Sequence, residues 1–77
     1  MRTVTLYTRE GCHLCEEAET ALAGLDVPHT LERVDIEADD ELFKRYLERI
    51  PVVAVDGEEL FDYVVDVPAL RRKLLGR

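Results

Sequence analysis

Apolar and polar positions change period several times along the chain, and each change marks a boundary. TVTLYT (3–8) alternates and is rich in β-branched and aromatic residues, which predicts a strand. A polar break, Arg9-Glu10-Gly11, follows. From Cys12 the apolar positions fall at three- and four-residue spacing (Leu14, Ala18, Ala21, Leu22, Leu25), predicting an amphipathic helix over 12–25 whose end is bracketed by Gly24 and Pro28. HTLERVDI (29–36) reads as a second strand, with Leu31, Val34 and Ile36 apolar. Ala38-Asp39-Asp40 opens a second helix over 39–50, with Leu42, Phe43, Tyr46 and Leu47 on one face and an acidic first turn that suits the positive end of the dipole. Pro51–Val55 is a β-branched run that begins at a proline, a position a strand tolerates. Asp56-Gly57 signals a tight hairpin turn, and EELFDYVV (58–65) is the returning strand. Asp66 caps a last short helix, with Pro68 in its first turn and Leu70, Leu74 and Leu75 facing inward.

The element order is therefore β-α-β-α-β-β-α, an α/β domain spanning residues 1–77. Strands joined through a helix are expected to run parallel and the last two to form an antiparallel hairpin, giving a four-stranded mixed sheet flanked by helices. Composition fits one soluble globular unit: of 77 residues, 47% are hydrophobic and 35% charged. No apolar run reaches the roughly 18 residues that cross a bilayer. Met1-Arg2 leads directly into the first strand without a secretory signal, so the expected location is the cytoplasm. A formal net charge of −7 repels phosphate backbones and anionic lipid, which argues against nucleic acid and membrane partners. The cations Arg71-Arg72-Lys73 do not reverse this, since they fall near the end of the last helix and offset its dipole.

Cys12 and Cys15 are the whole cysteine count. A pair that closes so small a loop staples little, and its place at a strand-to-helix junction points to chemistry instead. The first turn of a helix has unpaired amides and roughly half a positive charge, so a thiol there ionises readily. Cys15, one turn on, lies within reach of Cys12. A zinc site would need two more soft ligands, and only His13 and His29 are available, so no metal site is expected. His29 reads as a strand-edge residue without a role.

LYTREGCHLCEEAETAL followed by RIPVVAVDG resembles the glutaredoxin-like branch of the thioredoxin superfamily, over nearly the whole chain. The resemblance implies a thioredoxin-like fold and thiol–disulfide exchange, with Cys12 as nucleophile and Cys15 as resolving thiol. It also implies a cis-proline opposite the dithiol, at Pro51, with Ile50 offering backbone groups to an extended thiol substrate. Arg9 stands where glutaredoxins commonly carry a lysine; it meets a substrate carboxylate or favours the thiolate, or else is a solvated loop cation. His13 either stabilises the thiolate when protonated or is an exposed helix residue, while Glu16, one turn after Cys12, opposes ionisation. The chain departs from glutaredoxins after the hairpin. There the Gly-Gly pair is replaced by Phe61 and Asp62 and the acidic pair by Val64 and Val65, with Asp66 as a partial substitute.

The function expected is that of a monomeric dithiol–disulfide oxidoreductase with no bound cofactor, acting on protein or small-molecule disulfides. Protein disulfides are preferred, and glutathione as a co-substrate is left open. Two other readings stand beside it: a glutathione-assisted iron–sulfur carrier, and a non-catalytic module whose dithiol senses redox state.

Overall fold

The computed structural model describes residues 2–76. Strand β1 (Thr3–Thr8) lies inside the sheet, and its consecutive Val4, Thr5 and Leu6 are all buried. Burial on both faces requires cover on both faces, and the helices supply it. β1 runs parallel to β2 (Thr30–Asp35) and antiparallel to β3 (Val52–Val55), which pairs antiparallel with β4 (Glu58–Asp62). The sheet order is β2-β1-β3-β4, the mixed four-stranded sheet expected. A two-residue turn joins β3 to β4. Asp56 and Gly57 both have positive φ (50° and 87°), the geometry whose twist matches a hairpin and for which Asp-Gly is suited. Asp56 also ties the turn to β1, its amide donating to the Thr3 carbonyl and its carboxylate accepting from the Thr3 amide.

Helices α1 (His13–Ala23), α2 (Asp40–Tyr46) and α3 (Val67–Leu75) complete the domain. Alternation in β1 and β3 divides the core. Val4, Leu6, Val53 and Val55 pack with Ala18 and Leu22 of α1 and Leu70 and Leu74 of α3. On the opposite face, Val52 and the half-buried Tyr7 pack with Tyr46 and Leu42 of α2, Ile36, Ile50 and Cys15. Each helix start is satisfied by a side chain. Asp39 accepts from the Glu41 and Leu42 amides, and Asp66 accepts from Ala69 at 3.1 Å with Pro68 in the first turn.

Element boundaries depart from the sequence expectations in four places. The first helix is shorter at both ends, with Cys12 and Gly24 outside it as caps. β2 stops at Asp35, whose carboxylate accepts from the Glu37 amide and starts a single 3₁₀ turn over Ile36–Ala38. α2 ends at Tyr46 rather than 50. The amides of Arg49 and Ile50 both converge on the Tyr46 carbonyl, and Pro51 holds Ile50 away from helical geometry. β4 ends at Asp62 rather than 65, because Tyr63 turns into the left-handed region at φ 66°. Three apolar residues expected on inward faces are exposed, among them Leu47, which lies just past the end of α2. Leu75, rotated one position past Leu74, is 57% exposed, and Leu14 is 44% exposed at the open end of its helix. Of the basic cluster, Arg72 and Lys73 occupy the last turn of α3, while Arg71 reaches across to Asp26 at 2.8 Å.

The role of Asp66 as a cap is testable. Asp66→Ala is expected to lower unfolding free energy by about 0.5–2 kcal/mol, and Asp66→Asn to retain most of it. Urea denaturation of both variants measures this, and an Asn variant as weak as the Ala variant would show that charge rather than capping is what Asp66 supplies.

Candidate active site

β1 ends at Thr8, and Gly11, at φ 80°, turns the chain from the strand edge into α1. Cys12 is the residue that this turn leaves at the helix N-cap, in extended conformation at φ −91° and ψ 110°. Its sulfur accepts a hydrogen bond from the Cys15 amide at 3.2 Å, and its carbonyl accepts the Glu16 amide at 3.1 Å. A residue type seldom chosen as a cap thus performs the cap's task, with sulfur in place of the usual oxygen. The consequence is chemical. Sγ accepts from one first-turn amide at the positive end of the helix dipole, a setting that favours negative charge on a sulfur released from the disulfide.

The two sulfurs are joined as a disulfide, with Cα atoms 5.2 Å apart. They differ in access. Cys12 is half-buried, whereas Cys15 is 2% exposed and belongs to the core cluster beneath α2. Of the two sulfur-bearing residues, Cys12 is thus the more accessible from solvent.

Facing the same cluster is the loop before β3. The Ile50–Pro51 peptide bond is cis, as the resemblance implied, and both residues are buried. The amide of Ile50 is donated to the Tyr46 carbonyl at 3.0 Å, so the carbonyl is the backbone group Ile50 can offer a substrate. On its far side the loop is held by Tyr63, whose amide is shared between the carbonyls of Arg49 at 3.1 Å and Pro51 at 3.0 Å.

Tyr46 supports this arrangement from below. Its ring lies 4.5 Å from that of Tyr7, and Arg49 sits over its face at 5.4 Å. Its hydroxyl donates to Glu59 at 2.5 Å, and Arg49 bonds Glu59 at 2.7 Å and Asp62 at 3.1 Å. The end of α2, the proline loop and β4 are thereby locked into one frame. Nothing in the sequence marked Tyr46 beyond its place on a helical face, and Tyr7, Glu59 and Tyr63 went equally unmarked. A tyrosine at an otherwise aliphatic core position was the available signal, because a buried hydroxyl needs a partner.

The family model described as Glutaredoxin-like domain (DUF836) matches residues 3–75. The chain belongs to this glutaredoxin-like family. Among solved structures, protein Ne2328 from Nitrosomonas europaea is 34% identical, with 95% of this chain and 91% of that one covered at a TM-score of 0.82. Protein XcR50 from X. campestris is 40% identical, with coverage of 92% and 93% and a TM-score of 0.78. A mutant thioredoxin from Halobacterium salinarum, 20% identical, shares the fold at a TM-score of 0.66 over 95% of this chain and 71% of that one. Comparison with curated proteins gives no match. The thioredoxin-like fold expected from the sequence is thus the fold observed.

Within this glutaredoxin-like domain, the remaining candidate residues stand at different distances from the chemistry. Arg9 turns to Glu37 at 2.9 Å and lies over the Phe43 ring at 5.8 Å, so its charge is shared with a carboxylate. His13 is on the open side of α1, its Nε2 3.3 Å from Glu17, with both side chains mostly exposed. His29 contacts the Val27 carbonyl through Nδ1. Phe61 packs against the core, while Val64 stands in solvent and Asp66 is engaged as the α3 cap. Among the described residues, no group of three or more His, Cys, Asp or Glu side chains is placed to hold a metal ion, and no helix is long and apolar enough to cross a membrane.

The Tyr46–Glu59–Arg49 frame makes stability depend on pH at both extremes. The Glu59 carboxyl is held below its ordinary range, first by the Tyr46 hydroxyl and then by Arg49, so its contribution is present at neutral pH and drains away as pH falls through its folded value. Tyr46 is pushed up, first by burial and then by its bond to Glu59, so the fold retains the neutral phenol and loses stability as pH rises beyond the ordinary tyrosine range. Tyr46→Phe removes the phenol's own titration and the larger of the two causes acting on Glu59, leaving Arg49. It is expected to cost about 1 kcal/mol at neutral pH, the modest value reflecting a partly exposed acceptor. Its stability should also fall less steeply than wild type between about pH 6 and pH 3. Chemical denaturation across that range decides; parallel acid profiles would remove Tyr46 from the account of Glu59.

Proposed function

We propose that the protein is a dithiol–disulfide oxidoreductase in which Cys12 is the nucleophile and Cys15 the resolving thiol. The observation that carries the reading is the half-buried Cys12 sulfur at the α1 N-cap, bonded by the Cys15 amide, with its partner sulfur buried directly behind it. In the reduced protein, the Cys12 thiolate attacks one sulfur of a substrate disulfide. The substrate S–S bond breaks, a mixed disulfide forms on Cys12, and the first substrate thiolate departs. Cys15 then gives its proton to solvent and attacks Cys12 Sγ, forming the Cys12–Cys15 bond and releasing the second substrate thiol. The substrate gains two electrons and the protein loses them together with the one proton of Cys15; the departing substrate thiolates take their protons from solvent, and an external thiol reductant restores the dithiol.

Ile50 shares a buried cluster with Cys15, which supports a role for its carbonyl in accepting from an extended substrate backbone next to Pro51, a short form of strand addition. Arg9 serves a substrate carboxylate by exchanging it for Glu37. His13, when protonated, adds positive charge next to Cys12, and Glu17 draws that charge away along the helix. In this reading the protein acts as a cytoplasmic monomer without a bound cofactor. Glutathione is at most a co-substrate, since Val64 and Val65 offer it no charge. Nucleic acid and membranes have no part.

Insulin reduction with dithiothreitol as electron source tests the proposal. Cys12→Ser is expected to bring the rate down to uncatalysed background. Cys15→Ser is expected to accumulate mixed disulfides on Cys12, visible as mass adducts lost on reduction. Iodoacetamide alkylation of the Cys15→Ser variant should follow a thiolate titrating below the ordinary thiol range of about 8.5. Full activity in Cys12→Ser would end this reading, and an ordinary thiol titration would remove the role given to the N-cap.

A further inference from the structure

A shallow groove of about 200 Å³ runs along α1, and the proposed function does not use it. One wall is a helical stripe, Leu14, Glu17, Ala18 and Ala21, at spacings of three and four. It begins at Leu14, which lies between the two cysteines. The other wall is the 63–65 stretch, pinned to the proline loop through the Tyr63 amide. Leu14, Tyr63 and Val64 are 44%, 57% and 73% exposed, and they are three of the five exposed large hydrophobic residues among those described. Clustering of this kind marks a contact surface, whereas single exposed apolar residues do not. The backbone also accepts an unfavourable conformation to present it, since Tyr63 adopts φ 66° without being a glycine.

Charge narrows the occupant. Glu17 is the charged residue lining the groove; its partner there is the exposed His13, an ion pair that contributes little and exchanges readily. A second copy of this chain would bring a net charge of −7 to the same place and be repelled. Glutathione brings two carboxylates and no apolar side chain. What complements an apolar groove with an acidic rim, starting at the residue between the two cysteines, is a peptide segment. The groove is smaller than the 300 Å³ or so of an ordinary small-molecule pocket, so it suits one anchoring side chain. Resting on the dithiol reading above, we infer that the substrates are protein disulfides in which a large apolar residue and a cationic residue neighbour the attacked cysteine. The apolar side chain sits between Leu14 and Val64, and the cation displaces His13 from Glu17.

Peptide mixed disulfides with 2-mercaptoethanol test this, one with Leu and Lys beside the cysteine and one with Ser and Glu, alongside bis(2-hydroxyethyl) disulfide as a reference without side chains. Wild type is expected to show kcat/KM about tenfold higher for the Leu/Lys peptide than for the Ser/Glu peptide, the partial burial of one side chain being of that order. Val64→Ser, a change at an exposed position, should cut that ratio several-fold. Equal rates for the two peptides, or a Val64→Ser variant with the ratio intact, would overturn the inference while turnover of bis(2-hydroxyethyl) disulfide kept the dithiol reading. Failure to reduce any of the three would bring down both.

Discussion

The first amides of α1 have no partners within the helix, and the sulfur of Cys12 takes one of them. This single hydrogen bond joins local structure to the dithiol, because the group that caps the helix is also one of its two sulfurs. Any substitution that moved the cap would move the sulfur, and any shift of the sulfur would leave the helix start unsatisfied. The strand before it contributes rigidity. β1 is bonded on both edges and buried on both faces, so the turn at Gly11 starts from a fixed point. The glycine at φ 80° lets the chain reverse direction within a few residues of that strand.

The division of the core explains why the two sulfurs differ. α1 packs its lower turns, Ala18 and Leu22, into the larger cluster shared with α3. Its first turn overhangs the sheet and delivers Cys15 to the smaller cluster under α2, beside Ile36, Ile50 and Val52. One helix thus serves both faces, and the residue at the crossing is Cys15. Its burial withholds it from solvent and, by the same geometry, sets it against Cys12. The Tyr7–Tyr46 pair and the ion pairs of Arg49 hold the floor of this cluster and the proline loop in register.

Much of this was legible in the chain because local rules and the fold agreed. Strict alternation in TVTLYT, the Asp56-Gly57 turn and the Asp-capped helices are short-range signals, and each produced the element expected. Boundaries failed where a tertiary bond overrode the pattern. The second helix continues in sequence to Ile50, yet the chain leaves it at Tyr46, where the amides of Arg49 and Ile50 both turn to the Tyr46 carbonyl and Pro51 disfavours a helical residue before it. The fourth strand reads on to Val65, yet Tyr63 turns away because its amide is claimed by two carbonyls of the proline loop. Arg9 was legible as a cation near the dithiol. That Glu37, on the turn after β2, would hold it depends on the parallel register of β1 and β2, which no short-range pattern encodes.

Charge acts on this site over two ranges with opposite sign. At long range, a net charge of −7 disfavours a thiolate and slows anionic substrates, but only within a Debye length of about 8 Å at physiological salt. At short range, the Cys15 amide touches the sulfur at 3.2 Å, where screening has no effect and the interaction is hydrogen-bonded. The near term therefore outweighs the far one at the sulfur itself, while the far term sets the field that approaching charged groups meet. Glu17 lies between the two ranges, pairing with His13 at 3.3 Å and lining the groove along α1.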